Sequence, residues 1–157
     1  MEILGKSTIN PFIFYTGKIS GYFTWLVLLL AILNIVTLKR INFYYNYYIA
    51  YCIILAGLVF IILSLVFLGR STRVGLPSES TKLKTNGIYK FSRNPMYIGV
   101  HLITIASMIY FLNIVIIVAG MYSLIVYHLI ILNEERFLLE RFGTDYENYT
   151  RKVRRYF

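Results

Sequence analysis

The chain has 157 residues, of which 58% are hydrophobic and only 15% charged. That balance lies outside the range of soluble domains, where roughly a quarter of residues are charged, and the length suits a single domain, 1–157. A net charge of +9 invites a nucleic-acid partner, but the basic residues lie between and after apolar runs, where membrane topology places them, so no nucleic acid is expected. Cys52 is the one cysteine, which excludes an intramolecular disulfide framework and a cysteine-based metal site.

In chain order, residues 1–18 carry Lys6 and Lys18 around a short apolar patch, Pro11 to Tyr15, and read as an interfacial helix or a lead-in. Ile19 to Leu38, closed by Lys39-Arg40, has the roughly 20 residues needed to cross hydrocarbon. It is longer than a signal-peptide core and lacks a small-x-small cleavage site, so it reads as a transmembrane helix. Tyr44, Tyr45, Tyr47, Tyr48 and Tyr51 crowd the start of a second span, about Tyr48 to Leu68, as an interfacial aromatic belt. Ala56, Gly57 and Ser64 within it suit close helix contact.

From Gly69 to Arg93 the character changes. Arg70, Arg73, Lys82, Lys84, Lys90 and Arg93 face a single acid, Glu79, which reads as a loop on the cytoplasmic side. Asn94-Pro95 then opens a third apolar run, Pro95 to Phe111, with Asn as N-cap and Pro at the first helical position. Leu112-Asn113 is a minimal turn into Ile114 to Leu132, which forces an antiparallel hairpin. Ala106 and Ser107 on one side, with Ala119, Gly120 and Ser123 on the other, suit its packing. Beyond Leu132, charges alternate with Phe137, Leu138 and Phe142 at helical spacing, so the fourth helix continues as an amphipathic stretch to a cap at Gly143. Asp145 to Tyr156 reads as a short final helix. The expected fold is all-α and polytopic: two N-terminal spans in 1–68, then a loop, a hairpin and a helical tail in 69–157. Four spans place both termini on the cytoplasmic side.

Two charged elements then meet at one membrane surface. Arg93 sits at the mouth of the third helix, whose free N–H groups favour an anion, beside Tyr89 and Tyr97. Glu134 and Glu135 end the fourth span, where a carboxylate is costly unless solvated, paired or functional. One reading is an interfacial ion pair with Arg93 or Arg136; the other is a binding site. His101, one turn after Tyr97, and His128 on the fourth span could face each other across the hairpin. The His-Glu-x-x-His spacing is absent, so no metal is expected. No Walker loop, Rossmann fingerprint or nucleophile elbow occurs.

Leu83-Lys-Thr-Asn-Gly87-Ile-Tyr89-Lys-Phe-Ser-Arg93-Asn94-Pro95-Met-Tyr97-Ile-Gly99 resembles the signature of the membrane-embedded isoprenylcysteine carboxyl methyltransferases and the related phospholipid methyltransferases. Glu134-Glu135-x-x-Leu138-x-x-x-Phe142-Gly143-x-x-Tyr146-x-x-Tyr149-x-x-x-Val153 resembles its second half. The resemblance covers about the last 80 residues. It implies S-adenosylmethionine as methyl donor, bound at the cytoplasmic end of the hairpin, with binding roles for Arg93, Tyr97, Glu134 and Glu135. Tyr89, Asn94, Pro95, Gly99 and His101 complete the candidate cofactor-binding set, and no catalytic residue is assigned.

Within that reading, Arg93 suits the cofactor carboxylate, the glutamates its ammonium or ribose, and a tyrosine face its sulfonium. Many members carry His where this chain has Asn94, so a base there is not expected. The implied acceptor is a lipid or prenylated group entering from the bilayer. Carboxyl O-methylation of the isoprenylcysteine type leads and phospholipid N-methylation is the alternative. A sterol-reductase-like enzyme and a non-enzymatic membrane protein are the other readings; oligomeric state is not fixed by the sequence.

Overall fold

The computed structural model describes residues 9–37, 45–69 and 83–157. Lys6, Lys39-Arg40, Tyr44, Arg70, Arg73, Glu79 and Lys82 lie outside the described residues. Among those described, all regular structure is helical: α1 (Pro11–Ile32), α2 (Asn46–Leu68), α3 (Pro95–Phe111), α4 (Ile114–Phe142) and α5 (Thr144–Lys152), with a 3-10 turn at Gly87–Lys90 before α3. The architecture is that of a polytopic membrane protein. Three helices, α1, α2 and α4, are long and apolar enough to cross a membrane, and α3 is a shorter apolar helix of 17 residues.

The first helix departs from the sequence expectation. It starts at Pro11, so the apolar patch read as an interfacial segment is the opening turn of the span, and the helix ends at Ile32 rather than Leu38. The signal was present: the Asn10 side chain accepts a hydrogen bond from the Phe12 N–H at 2.9 Å, and Pro11 occupies the first turn. Lys18 is accommodated inside the helix because its Nζ lies 4.0 Å from the centre of the Phe14 ring. The other expected boundaries hold within about two residues at α2, α3 and α4. α4 is one continuous helix of 29 residues ending at Gly143, whose φ of 51° suits glycine. The final helix stops at Lys152, and residues 153–157 leave it as an irregular strap, not the helix expected to Tyr156.

The hairpin turn is as short as expected. Leu112 takes the left-handed conformation at φ 45°, and the Asn113 side chain caps α4 by accepting from the Val115 N–H at 3.0 Å. Yet α3 and α4 do not pack chiefly on each other. α3 lies against α2, and α4 lies against α1. Of the small residues assigned to the hairpin, Gly120 meets Met108 and Thr104 of α3. Ala119 and Ser123 face α1 instead: the Ala119 carbonyl accepts from Ser20 Oγ at 2.8 Å, and Ser123 abuts Gly21. Ser107 Oγ donates to the Thr24 carbonyl, and Trp25 Nε1 to Thr104 Oγ1 at 2.9 Å, tying α1 to α3.

These contacts fix alternating helix directions. Phe14, near the start of α1, packs with Val126, Tyr127 and Ile130, whereas Leu28 and Ala31, near its end, pack with Tyr110, Phe111 and Ile116. The start of α1, the end of α2, the start of α3 and the end of α4 therefore share one end of the bundle. The outer faces of α1, α2 and α4 expose Leu26, Leu55, Val66, Ile114 and Ile125, as a lipid-facing surface does.

The crossing of α2 over α3 is set by two glycines. A Cβ on Gly99 would stand 2.6 Å from the Gly57 carbonyl oxygen. That neighbour is backbone within a helix and cannot yield as a flexible side chain would. Gly99→Val is expected to destabilise the protein by about 1–3 kcal/mol, the range for overpacking. Thermal denaturation in detergent should show a lower midpoint; an unchanged midpoint would refute the tight crossing.

Candidate functional site

The polar end of the bundle is built around Glu135, at the twenty-second residue of α4. At 1.5 Å per residue this is about 30 Å from the start of the helix, the thickness of the hydrocarbon. Its side chain is only 10% exposed. Such a carboxylate must be matched by donors, and three residues supply them. Arg93 pairs with it side-on, Nε to Oε1 and Nη2 to Oε2, both at 3.1 Å. Arg155 places Nε 3.0 Å and Nη2 2.9 Å from Oε2. Asn94 Nδ2 donates to Oε1 at 2.8 Å.

The second terminal nitrogen of Arg93 serves the tail, donating to the carbonyls of Val153 at 2.7 Å and Thr150 at 3.3 Å. The main chain repeats the link. The Arg93 N–H donates to the Arg154 carbonyl at 3.0 Å and Ser92 Oγ to the Arg155 carbonyl at 2.9 Å. The Asn94 side chain makes no cap on α3, contrary to the sequence expectation, because its amide is engaged with Glu135. Of the two sequence readings for the glutamates, the ion pair with Arg93 is formed.

Glu134 turns to the other side. Successive helical residues differ by about 100°, and this carboxylate faces α1 and α3. Tyr97 donates its hydroxyl to Oε1 at 2.7 Å, and Lys18 of α1 lies near enough to interact electrostatically. The rings of Tyr97, Tyr127 and Trp25 continue inward, with centroids 6.0 Å and 6.4 Å apart along the series. This face offers one carboxylate and a run of aromatic faces, a set suited to a cation.

One layer deeper, the strap after α5 enters between α3 and α4. The Tyr156 hydroxyl lies 2.7 Å from His128 Nδ1, and its ring is 5.9 Å from that of His101. Phe157 reaches Phe60 of α2 at 6.0 Å. So His101 and His128 do converge, with a tyrosine between them. His101 Nδ1 is buried without a hydrogen-bond partner.

The remaining candidates are placed elsewhere. Pro95 is fully buried at the first turn of α3, and Gly99 sits at the α2 crossing. Tyr89 gives its backbone carbonyl to the Tyr149 hydroxyl at 2.6 Å. Burial pushes the Tyr89 phenol up to about 12 and that of Tyr149 upward too, so both stay protonated at neutral pH. The sequence reading missed Lys18, Arg155 and Tyr156. A basic and aromatic run immediately after a short helix was the available signal for the latter two.

A helical bundle with three membrane-length apolar helices, and with a carboxylate pair, a run of aromatic rings and a two-histidine layer toward one end, defines an integral membrane protein with a candidate polar site. Residues 45–145 match the family model of phospholipid methyltransferases, and the chain belongs to that family. It is therefore a membrane methyltransferase. No curated protein matches the chain as a relative.

Breaking a buried pair strands the remaining charge. Arg93→Ala is expected to cost about 3–5 kcal/mol. Arg93→Lys should not restore the loss, since one ammonium cannot make the side-on pair and also serve the tail carbonyls. Arg155→Ala, which leaves that pair intact, should cost less. Chemical denaturation in detergent orders the three; equal stabilities for Arg93→Ala and Arg155→Ala would contradict the assignment of Arg93 as the central clamp.

Proposed function

We propose that the protein transfers a methyl group from S-adenosylmethionine to a lipidic acceptor that reaches the site sideways from the bilayer, with the site on the cytoplasmic side. The observation that carries this reading is the Glu134–Tyr97 face: a carboxylate at the membrane edge, hydrogen-bonded by one phenol and backed by further aromatic rings. The donor set fits a ligand that carries both an ammonium and a sulfonium. When bound, S-adenosylmethionine supplies an electrophilic methyl group.

In this reading Glu134 holds the ammonium, and the Tyr97 ring, fixed by its own hydrogen bond, presents a π face to the sulfonium. Arg93, Asn94 and Glu135 frame the site by fixing the loop before α3 to α4 and the strap. Their hydrogen-bonding capacity is largely committed to one another, so a ligand carboxylate meets the edge of this cluster rather than a bare arginine. The bundle keeps water from the aromatic layer, and alignment within a dry cleft supplies most of what methyl transfer requires. A prenylated carboxylate and a phospholipid amine both meet these requirements. The isoprenylcysteine-type signature favours the first, and the matched family's description favours the second.

Purified protein in detergent should be stabilised by S-adenosylhomocysteine. Ligand at a hundred times Kd adds about 2.7 kcal/mol, a thermal shift of several degrees. Glu134→Gln should weaken that binding about 10–100-fold, the worth of a charge-assisted hydrogen bond, with little change in the unliganded midpoint. Glu135→Gln should lower the midpoint itself. Absence of any thermal shift with wild-type protein would remove the cofactor reading.

A further inference from the structure

We propose that the surface formed by the loop before α3 and the strap, with Lys90, Phe91, Lys152 and Arg154 outermost, docks on anionic headgroups of the surrounding leaflet. It is independent of the cofactor reading, since none of these four residues belongs to the candidate site.

The four come from segments far apart in the chain, and hydrogen bonds hold those segments side by side. On one flank the Tyr149 hydroxyl of α5 donates to the Tyr89 carbonyl at 2.6 Å. On the other the Arg93 N–H donates to the Arg154 carbonyl at 3.0 Å, and Ser92 Oγ to the Arg155 carbonyl at 2.9 Å. Lys90 and Phe91 lie between these two staples. Lys152 closes α5 on the facing segment. Beyond it Arg155 turns inward to Glu135, while its neighbour Arg154 is exposed.

This surface lies level with the membrane edge. At 23 residues α2 spans about 35 Å, so its last turn, with Phe67, stands at the limit of the hydrocarbon. The turn that carries Lys90 rests there, because a Cβ on Gly87 would collide with the Phe67 ring. The strap confirms the level from the other side. Its Phe157 reaches down to Phe60 of α2, with ring centres 6.0 Å apart. Arg154 is three residues back, at most about 10 Å of chain away. Beside the loop α2 exposes Leu63, Val66 and Phe67, as a lipid-facing helix does.

The chemistry of the surface fits a negatively charged lipid. Lys90, Lys152 and Arg154 are exposed, and among the described residues none has an acidic partner. The acids close to them in the fold or the chain are committed: Glu135 to Arg93 and Arg155, and Glu147 to Arg151. Three uncompensated cations at headgroup level attract anionic lipid. Among them the Phe91 ring is 76% exposed. An apolar ring beside basic side chains is the combination that interfacial segments use, the ring entering the acyl boundary and the cations meeting phosphate. A soluble anion satisfies the cations but leaves Phe91 in water. Docking therefore holds the loop and strap from outside, as Glu135 holds them from within.

The test uses full-length Phe91→Trp protein, one copy per phosphatidylcholine nanodisc, with the parent protein, which has Trp25 alone, as the fluorescence blank. Emission from the new indole is followed as brominated phosphatidylglycerol, or brominated phosphatidylcholine at the same fraction, is introduced. Both should quench it, and the relative binding constant should favour the anionic lipid by at least about fivefold, the worth of one cation near a charged leaflet. Raised salt should shrink that preference. Adding Lys90→Gln, Lys152→Gln and Arg154→Gln together should bring it near unity with an unchanged unfolding midpoint. Lys152→Gln alone should lower it up to about fivefold.

Equal quenching by the two lipids, or a preference that survives the triple substitution, would overturn the proposal. So would the absence of quenching by either lipid, which would put the loop away from the bilayer. Loss of the preference on adding inorganic phosphate, at an ionic strength matched with chloride, would assign the cations to a free anion instead. A preference seen only in discs holding two copies would assign the surface to self-association.

Discussion

A carboxylate held at the membrane edge cannot remain unpaired, and the rest of this polar end follows from how Glu135 is satisfied. On α4 it meets donors from two other parts of the chain: the loop before α3 through Arg93 and Asn94, and the strap through Arg155. Arg93 extends the link through the Thr150 and Val153 carbonyls, so one guanidinium joins a helix end, a loop and a tail. Its planar fork does what a single ammonium cannot. Because the pair is nearly dry, its geometry is specific, and it determines where the strap runs and hence where Tyr156 enters.

Two adjacent glutamates take different tasks because of helical geometry. One residue along α4 turns the side chain by about 100°, which directs Glu135 to the strap and Glu134 to α1 and α3. The first is saturated by cations and amides. The second is held by one phenol and backed by aromatic rings. The protein thus has, at one level, a rigid clamp and a cation-complementary face, with the imidazole layer beneath. Lys18 belongs to this arrangement although α1 precedes the family-matched region, residues 45–145. The first helix is accordingly part of the site's wall rather than an anchor alone.

Much of the fold was legible because membrane helices obey strong local rules. Length and apolarity placed α2, α3 and α4, Asn94-Pro95 marked the start of α3, and Leu112-Asn113 marked the hairpin. The same Asn-Pro signal at Asn10-Pro11 marks α1, but Lys18 read as the end of an interfacial patch. A single charge ends an apolar run on a hydropathy plot, whereas in three dimensions a ring beneath the ammonium and a carboxylate nearby make it tolerable. The end of α5 was overestimated for a related reason. Residues 153–157 have ordinary helical composition, but their carbonyls are drawn to Arg93, Ser92 and Asn94.

The sequence by itself determined the class of protein, the helices and the two motifs, because burying backbone in lipid leaves few alternatives to a helix and the motifs are local strings. It also determined that Arg93 and the two glutamates meet at one surface. Only the tertiary structure decided which glutamate clamps and which faces the aromatic wall, that α3 packs on α2 and α4 on α1, and that His101 and His128 converge around Tyr156. Those outcomes depend on the rotation of each helix about its axis and on a strap returning from residues far along the chain. Small residues permit close packing against more than one neighbour, so their spacing alone does not choose the partner.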